Sequence, residues 1–268
     1  MKKLLVDAGN TSLKWAFLET SLGKDSLTQM QSCAYGKQTP SYTFRKVLEQ
    51  QLNTQKIDEI ILVSVLGDAY ISTTEKLAKQ QNIKFISIQS SQKLAGVTSA
   101  YGEPHKLGAD RLVAIIAAYH LKPNQASIVV DTGTATTIDA IDINGQHLGG
   151  LILPGLEICS ESLLENTKML TAFNKSKSAF EPNIFAKNTK QAIASGSLFG
   201  LVGAITNICL TMEKAIRLNN SHIININKII CGGSAYKLTP YLSNDFNHHN
   251  DLLMQGLKII TKHHMKTN

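Results

Sequence analysis

The chain has 268 residues, 43% of them hydrophobic and 18% charged, which is enough apolar material for one large or two modest domains and excludes a disordered chain. Its 27 Lys+Arg against 20 Asp+Glu give a formal charge of +7. The excess is spread along the chain with no basic run interleaved with aromatics, so it suits an anionic small ligand and speaks against a nucleic-acid surface.

In chain order, Met1-Lys2-Lys3-Leu4-Leu5-Val6 imitates a signal peptide, but Asp7, Asn10 and Lys14 interrupt the apolar run before an h-region develops. The segment reads instead as a strand, a turn at Asp7-Ala8-Gly9-Asn10-Thr11, and a second strand from Ser12 to Leu18. A third strand is predicted at Gln31 to Tyr35, then a helix at Thr43 to Leu52, a strand at Glu59 to Ser64, a helix at Ile71 to Gln80 and a strand at Lys84 to Ile88. A helix from Leu107 to Leu121 would link two halves, with a boundary at the breaker Lys122-Pro123-Asn124. The second half repeats the order. Strands are predicted at Ser127 to Asp131, Thr136 to Asp142 and His147 to Leu153, a long helix at about Asn188 to Leu218, a strand at Lys228 to Cys231, and further helices close the chain. The longest apolar stretch, around Leu112 to Tyr119, is far below the roughly 18 residues that cross a bilayer, so a cytoplasmic protein without a membrane partner is expected.

Two features of this series are alike. The run LLVDAGNTSLKWAFLE from Leu4 is answered by IVVDTGTATTIDAID from Ile128, so that Asp7 and Gly9 fall on Asp131 and Gly133. A repeated strand-turn-strand followed by alternating helix and strand predicts an α/β fold of duplicated ribonuclease H-like domains, each a mixed sheet flanked by helices. That is the arrangement of the actin, sugar kinase and Hsp70 ATPase group. The domains would be 1–122 and 123–268. Gly196, Gly200 and Gly203, with Ala192 and Ala204, give the long helix a small-residue face that core packing and a dimer interface explain equally well.

The turn at Asp7 is suited to phosphates. Gly9 lets the backbone approach an anion, the amides of Asn10 and Thr11 can point at phosphate oxygens, and Lys14 adds a point charge. A carboxylate beside phosphates makes electrostatic sense with a cation between them, so Asp7 is a candidate ligand of Mg²⁺ or its water. The second copy, Asp131-Thr132-Gly133-Thr134-Ala135-Thr136-Thr137, lacks a lysine and offers hydroxyls to terminal phosphates. Cys231-Gly232-Gly233-Ser234-Ala235 follows an apolar strand and would let backbone approach a flat ring, although such turns are common connectors. Asp110, in the first turn of the linking helix, either complements the helix dipole or takes a proton from a substrate hydroxyl, and Arg111 could fork onto a substrate carboxylate.

The remaining metal-like residues point elsewhere. Cys33, Cys159, Cys209 and Cys231 stand apart in apolar or strand-like contexts and read as buried reduced thiols. The pairs His248-His249 and His263-His264 lack a third ligand at helical or hairpin spacing and read as solvated surface.

Taken together, DAGNTSLK at Asp7, SVLG at Ser64, YGEPHKLGADR from Tyr101, DTGTATTID at Asp131, GGLILPG from Gly149, KNTKQAIASG from Lys187 and GGSA at Gly232 resemble the type III pantothenate kinases, the first enzymes of coenzyme A synthesis in many bacteria. The resemblance covers nearly the whole chain in order. It implies ATP-dependent phosphorylation of the primary hydroxyl of pantothenate, with Asp7, Ala8, Gly9, Asn10, Thr11, Ser12, Leu13, Lys14 and Thr134 at ATP and Asp110 as proton acceptor. Tyr101, Gly108, Ala109, Asp110 and Arg111 would line the pantothenate site, and Asp131 would bind a monovalent cation, K⁺ or NH4⁺, beside Mg²⁺. Thr189 would reach pantothenate from the partner subunit of a homodimer. Ala109 and Leu112 stand where the family commonly has valine and tryptophan, which bears on pocket shape rather than reaction type. Two alternatives remain: a kinase or phosphatase of the same duplicated fold acting on a sugar, acetate or polyphosphate, and a non-enzymatic regulatory protein.

Overall fold

The computed structural model describes residues 1–36, 39–166, 181–219, 223 and 225–267. Its contacts divide the chain into two units, one made of Met1–Pro123, Asn144–Gly149 and Asp251–Asn268, the other of Asn124–Ile143 and Gly150–Asn250. The division after Pro123 falls beside the expected breaker. A single cut at 122/123 does not reproduce it, however, because two later segments belong with the first unit.

The first unit contains β1 (Lys2–Ala8), β2 (Ser12–Ser21), β3 (Lys24–Leu27), β4 (Gln31–Ala34), α1 (Pro40–Thr54), β5 (Glu59–Ser64), α2 (Asp68–Gln80), β6 (Lys84–Ile88), the short hairpin β7 (Lys93–Leu94) and β8 (Val97–Thr98), and α3 (Ala109–Leu121). The strand order is β3-β2-β1-β5-β6, with β4 also pairing with β2. β1 runs antiparallel to β2 and parallel to β5, so the sheet is mixed. On one face, Leu4, Val6, Ile60 and Leu62 pack against Phe44, Leu48 and Leu52 of α1 and Leu77 of α2. Their neighbours Leu5, Ile61 and Val63 are equally buried, because alternation turns them to the other face. A strand covered on both faces reads as an unbroken apolar run, hence LLV and IILV.

The second unit contains β9 (Ala126–Thr132), β10 (Ala135–Ile141), β11 (His147–Pro154, whose first residues group with the first unit), α4 (Leu156–Asn166), α5 (Thr189–Asn219), β12 (Ile226–Cys231), α6 (Ala235–Leu238) and β13 (Phe246–His248). Its order, β11-β10-β9-β12-β13, repeats that of the first sheet, with β9 antiparallel to β10 and parallel to β12. The duplication predicted from two turns therefore extends to whole sheets. Ile128, Val130, Ile138 and Ile230 bury against Leu198, Leu201, Val202, Ile205 and Cys209 of α5. Helix α5 is long and apolar enough to cross a membrane by length and composition, a property the apolar run at Leu112 to Tyr119 does not reveal. One of its faces is part of this core.

Its other face carries the small residues. A Cβ placed on Gly196, Gly200 or Gly203 would meet nothing within 4 Å, so no neighbour among the described residues accounts for these glycines.

The last element, α7 (Leu252–Thr267), belongs to the first unit, where it packs on α3 and on β1. Leu252, Met254, Leu257 and Ile260 are fully buried there. A Cβ on Gly256 would run into the Val113 carbonyl, so the two helices touch at backbone distance.

Several local readings change. The strand β3 is absent from the sequence reading, because its hairpin turns on Leu22 and Gly23, both at positive φ, rather than on an Asn-Gly or Asp-Gly pair. Helix α4 and the three-residue β13 were likewise unanticipated. All four cysteines are free, but only Cys209 and Cys231 are buried; Cys33 and Cys159 are partly exposed. Burial pushes the Cys209 thiol up to about 12, which leaves it inert. Among the described residues no three His, Cys, Asp or Glu side chains gather as a metal site.

Candidate functional site

In each unit the acidic turn sits at the carboxyl end of the central strand, where parallel α/β sheets present their ligands. Asp7 is the penultimate residue of β1 and is paired in register with Lys14 of β2 and Val63 of β5. The Lys14 Nζ lies 3.6 Å from Asp7 Oδ2, so the lysine that the sequence offers to phosphate also neutralises this buried carboxylate. Gly9 N–H donates to the Ser12 carbonyl at 3.2 Å and closes the turn, and the Tyr35 amide donates to the Thr11 carbonyl. Asn10 and Thr11 are exposed at the apex, whereas Ala8 and Leu13 are buried in the apolar core. Of the eight consecutive residues expected at ATP, those two can offer only backbone groups.

Tyr35 ends the strand behind this loop. Its ring is in the core, its hydroxyl has no hydrogen-bond partner among the described residues, and burial, then the Asp7 charge, raise its pKa.

The second turn is built differently. Asp131 is in register with Thr137 of β10 and Cys231 of β12. The Gly133 amide donates to the Ala135 carbonyl at 2.9 Å. Of the hydroxyls that make this segment look phosphate-seeking, Thr132 donates to the Cys231 carbonyl at 3.0 Å and Thr136 is fully buried without a partner among the described residues. Thr134 alone is exposed in the turn itself. Two other turns close on the segment: the Gly155 amide, just ahead of α4, donates to the Thr134 carbonyl at 3.0 Å, and the Ser234 amide donates to the Thr132 carbonyl at 2.9 Å. Gly232 has φ +96, and a Cβ there would collide with Asp131 Oδ1 and the Thr132 carbonyl. The GGSA segment, read from sequence as a ring pocket, is thus also the wall against which the Asp131 carboxylate lies.

A third group lies wholly within the first unit. Asp110 stands in the first turn of α3 and its Oδ1 accepts the Arg111 amide at 2.8 Å. Arg111 is buried, and its Nη1 donates to the Tyr101 hydroxyl at 2.9 Å. Helix α3 starts this way because Gly108 caps it in an extended conformation after the 3₁₀ turn Pro104–Lys106, and the Leu112 amide returns to the Gly108 carbonyl. Leu112 is fully buried in the interior of the unit. The structure therefore brings Tyr101, Gly108, Ala109, Asp110 and Arg111 together. One residue escaped the sequence reading: His147 is fully buried and stacks on Tyr101, with ring centroids 6.2 Å apart and planes at 16°. Its place at the start of β11 gives no sign of this.

Thr189 is exposed at the first position of α5, where the Asn188 side chain caps the Gln191 amide at 2.9 Å. The other charged clusters are structural. Lys228 bridges Glu213 and Asp245, whose pull outweighs burial and raises its pKa, and buried Lys3 pairs with Glu59.

Known proteins resemble this chain over nearly its whole length. A family model described as type III pantothenate kinase matches residues 3–211. A type III pantothenate kinase of Herminiimonas arsenicoxydans is 32% identical over 268 residues, spanning 98% of this chain and 99% of that protein. Among solved structures, a Campylobacter jejuni protein described as a Baf family transcriptional activator aligns with TM-score 0.55 at 24% identity, covering 98% of this chain and 99% of the other. A Sinorhizobium meliloti protein described as a 2-dehydro-3-deoxygalactonokinase aligns with TM-score 0.55 at 13% identity, covering 97% and 96%. At these identities the two structures bear on fold alone.

Proposed function

The chain belongs to the type III pantothenate kinase family, and from that premise we propose that it transfers the terminal phosphoryl group of ATP to the primary hydroxyl of pantothenate, giving 4'-phosphopantothenate at the first step of coenzyme A biosynthesis. It is a phosphotransferase with an alcohol acceptor. The observation that carries the reading is the pair of acidic turns at equivalent positions of two sheets of the same strand order. Phosphoryl transfer needs positioning and charge neutralisation more than covalent chemistry. Two phosphate-facing turns and a carboxylate base supply those.

In this reading the amides of Gly9 to Thr11, with Lys14, take the ATP phosphates, and Thr134 adds a hydroxyl from the second turn. The buried Asp7 carboxylate, already paired with a cation in Lys14, suits Mg²⁺ or a water of its shell. Mg²⁺ would neutralise the charge of the transferring phosphoryl group. Asp131, held in the cradle at Gly232, would take K⁺ or NH4⁺. Arg111 forks onto the pantothenate carboxylate beside Tyr101, and Asp110 takes the proton of the attacking hydroxyl. In this reading the enzyme works in the cytoplasm, without nucleic acid or a membrane as partner.

A coupled assay with pantothenate, ATP, Mg²⁺ and potassium tests this. Pantothenate should be the only strong acceptor among sugars, acetate and other hydroxyl compounds. Strong turnover of a sugar with none of pantothenate would defeat the assignment. Activity is expected to rise on adding potassium or ammonium and to be lost in Asp131→Ala; full activity in sodium alone counts against the cation site.

Thr189 and the open glycine face of α5 support a homodimer in which each protomer completes its partner's pantothenate site. Gly200→Leu fills no space inside the protomer, so it should keep the melting temperature while shifting light scattering toward a 29.2 kDa monomer and lowering turnover. A native protein that is already monomeric would remove this part of the proposal.

A further inference from the structure

We propose that His147 is a positioning residue for the hydroxyl substrate: it holds Tyr101, and through Tyr101 the Arg111 guanidinium, in the orientation that receives the substrate carboxylate. The inference rests on the pantothenate reading of Tyr101 and Arg111 and adds a residue that the reading does not contain.

The geometry starts in the backbone. The segment Asn144–Gly149 groups with the first unit and is stitched to the strand and loop before Tyr101. The Thr98 amide donates to the Gly145 carbonyl at 2.8 Å, Gln146 Nε2 donates to the Thr98 carbonyl at 3.4 Å, and residues 98 and 146 form a parallel bridge. These ties bring His147 beside Tyr101. The Ala100 amide then donates to His147 Nδ1 at 3.4 Å, which fixes the edge of the imidazole and places the proton of its neutral form on Nε2. With the ring fully buried and nearly parallel to that of Tyr101, few rotamers of the tyrosine survive. The Tyr101 amide donates to Ser99 Oγ at 3.2 Å, and Ser99 is itself buried.

Consequently the Tyr101 hydroxyl is set before any substrate arrives, and so is the Arg111 Nη1 that donates to it at 2.9 Å. A preset guanidinium loses less side-chain entropy when it pairs with a carboxylate. A ring that only filled core volume would affect stability and both substrates alike. A positioning ring affects the carboxylate substrate alone.

The test uses the full chain and steady-state kinetics for pantothenate and ATP, with thermal melting as a check on folding. His147→Asn keeps an acceptor near the Nδ1 position and loses the stacked ring; His147→Phe keeps the ring and loses the acceptor. His147→Asn is expected to raise the KM for pantothenate about tenfold, with kcat and the KM for ATP within about threefold of the native values. His147→Phe should return the pantothenate KM to within about threefold. In a Tyr101→Ala background, adding His147→Asn should change that KM by less than about twofold, because the residue it acts through is gone. An unchanged pantothenate KM in folded His147→Asn, parallel changes for ATP and pantothenate, failure of the phenylalanine to rescue, or additivity in the Tyr101→Ala background would each overturn the proposal while leaving the kinase assignment intact. If His147→Asn does not fold, the Phe variant and the comparison of Tyr101→Ala with Tyr101→Ala/His147→Phe decide: retained pantothenate KM in the first and near-identity in the second support it, the opposite refutes it. Absence of pantothenate turnover in the native protein would overturn both readings together.

Discussion

Asp110→Asn is expected to lower kcat by at least about a hundredfold while ATP still binds. The substitution keeps size and shape, and the amide oxygen can still accept the Arg111 amide that now reaches Asp110 Oδ1 at 2.8 Å, so the first turn of α3 should persist. What disappears, on the role proposed for Asp110, is the ability to take a proton as the substrate hydroxyl attacks. General-base assistance of this kind contributes roughly 10²- to 10⁴-fold, and because the asparagine leaves the Asp7 and Asp131 turns untouched, nucleotide binding is a built-in control. Isothermal titration of ATP beside steady-state turnover checks both halves. Near-native kcat in a folded variant would mean that another group accepts the proton, or that none is needed.

The second large effect is expected at Gly232, where alanine should cost both stability and activity. At φ +96 a side chain is strained whatever room it has, and here it has none: the new Cβ would meet the Thr132 carbonyl, which is backbone, as well as Asp131 Oδ1. A carboxylate could swing aside; a carbonyl that accepts the Ser234 amide cannot do so without opening the turn. The combined cost should be at least about 2 kcal/mol, or roughly 5 °C in Tm for a protein of this size. Potassium should no longer activate whatever folded protein remains, since the Asp131 carboxylate is the other group displaced. Gly233→Ala is the comparison: its Cβ would meet nothing within 4 Å, and it should be close to native in both respects. Equal behaviour of the two alanines in melting and potassium response would sink the assignment of Gly232 as the wall of this site.

Much of the fold can be read in the chain because β1, β5, β9 and β12 are buried on both faces, and such strands leave apolar runs that end in recognisable turns. The repeated Asp-x-Gly marks the duplicated sheets for the same reason. Where the reading stops, the cause is physical. The hairpin between β2 and β3 turns on Leu22 and Gly23, both at positive φ; its glycine stands beside a fully exposed leucine rather than the Asn or Asp of a typical hairpin pair, so β3 is not legible in the sequence. The apolar stripe of α7 says which side of the helix is buried and not against which sheet, so its return to the first unit is invisible before folding. The site divides in the same way. Asp7, Asp110 and Asp131 stand out because carboxylates at turns and helix starts need partners, whereas His147 opens a strand that nothing in the sequence brings beside Tyr101. Thr132 misled in the opposite sense: its hydroxyl looks available in sequence and is spent on the Cys231 carbonyl.

The return of α7 to the first unit has a consequence for how the protein is made. Synthesis delivers β1 to α3 early, yet the helix that covers α3 and touches β1 is made only after every residue of the second unit has been added. Until then Val113 and its neighbours on α3 lack the cover that Gly256 brings to backbone contact, and a nascent chain halted after Pro123 would expose that apolar face. The first half of the chain to be translated is thus the last to be finished, and chaperone demand should track the delay between residues 123 and 251.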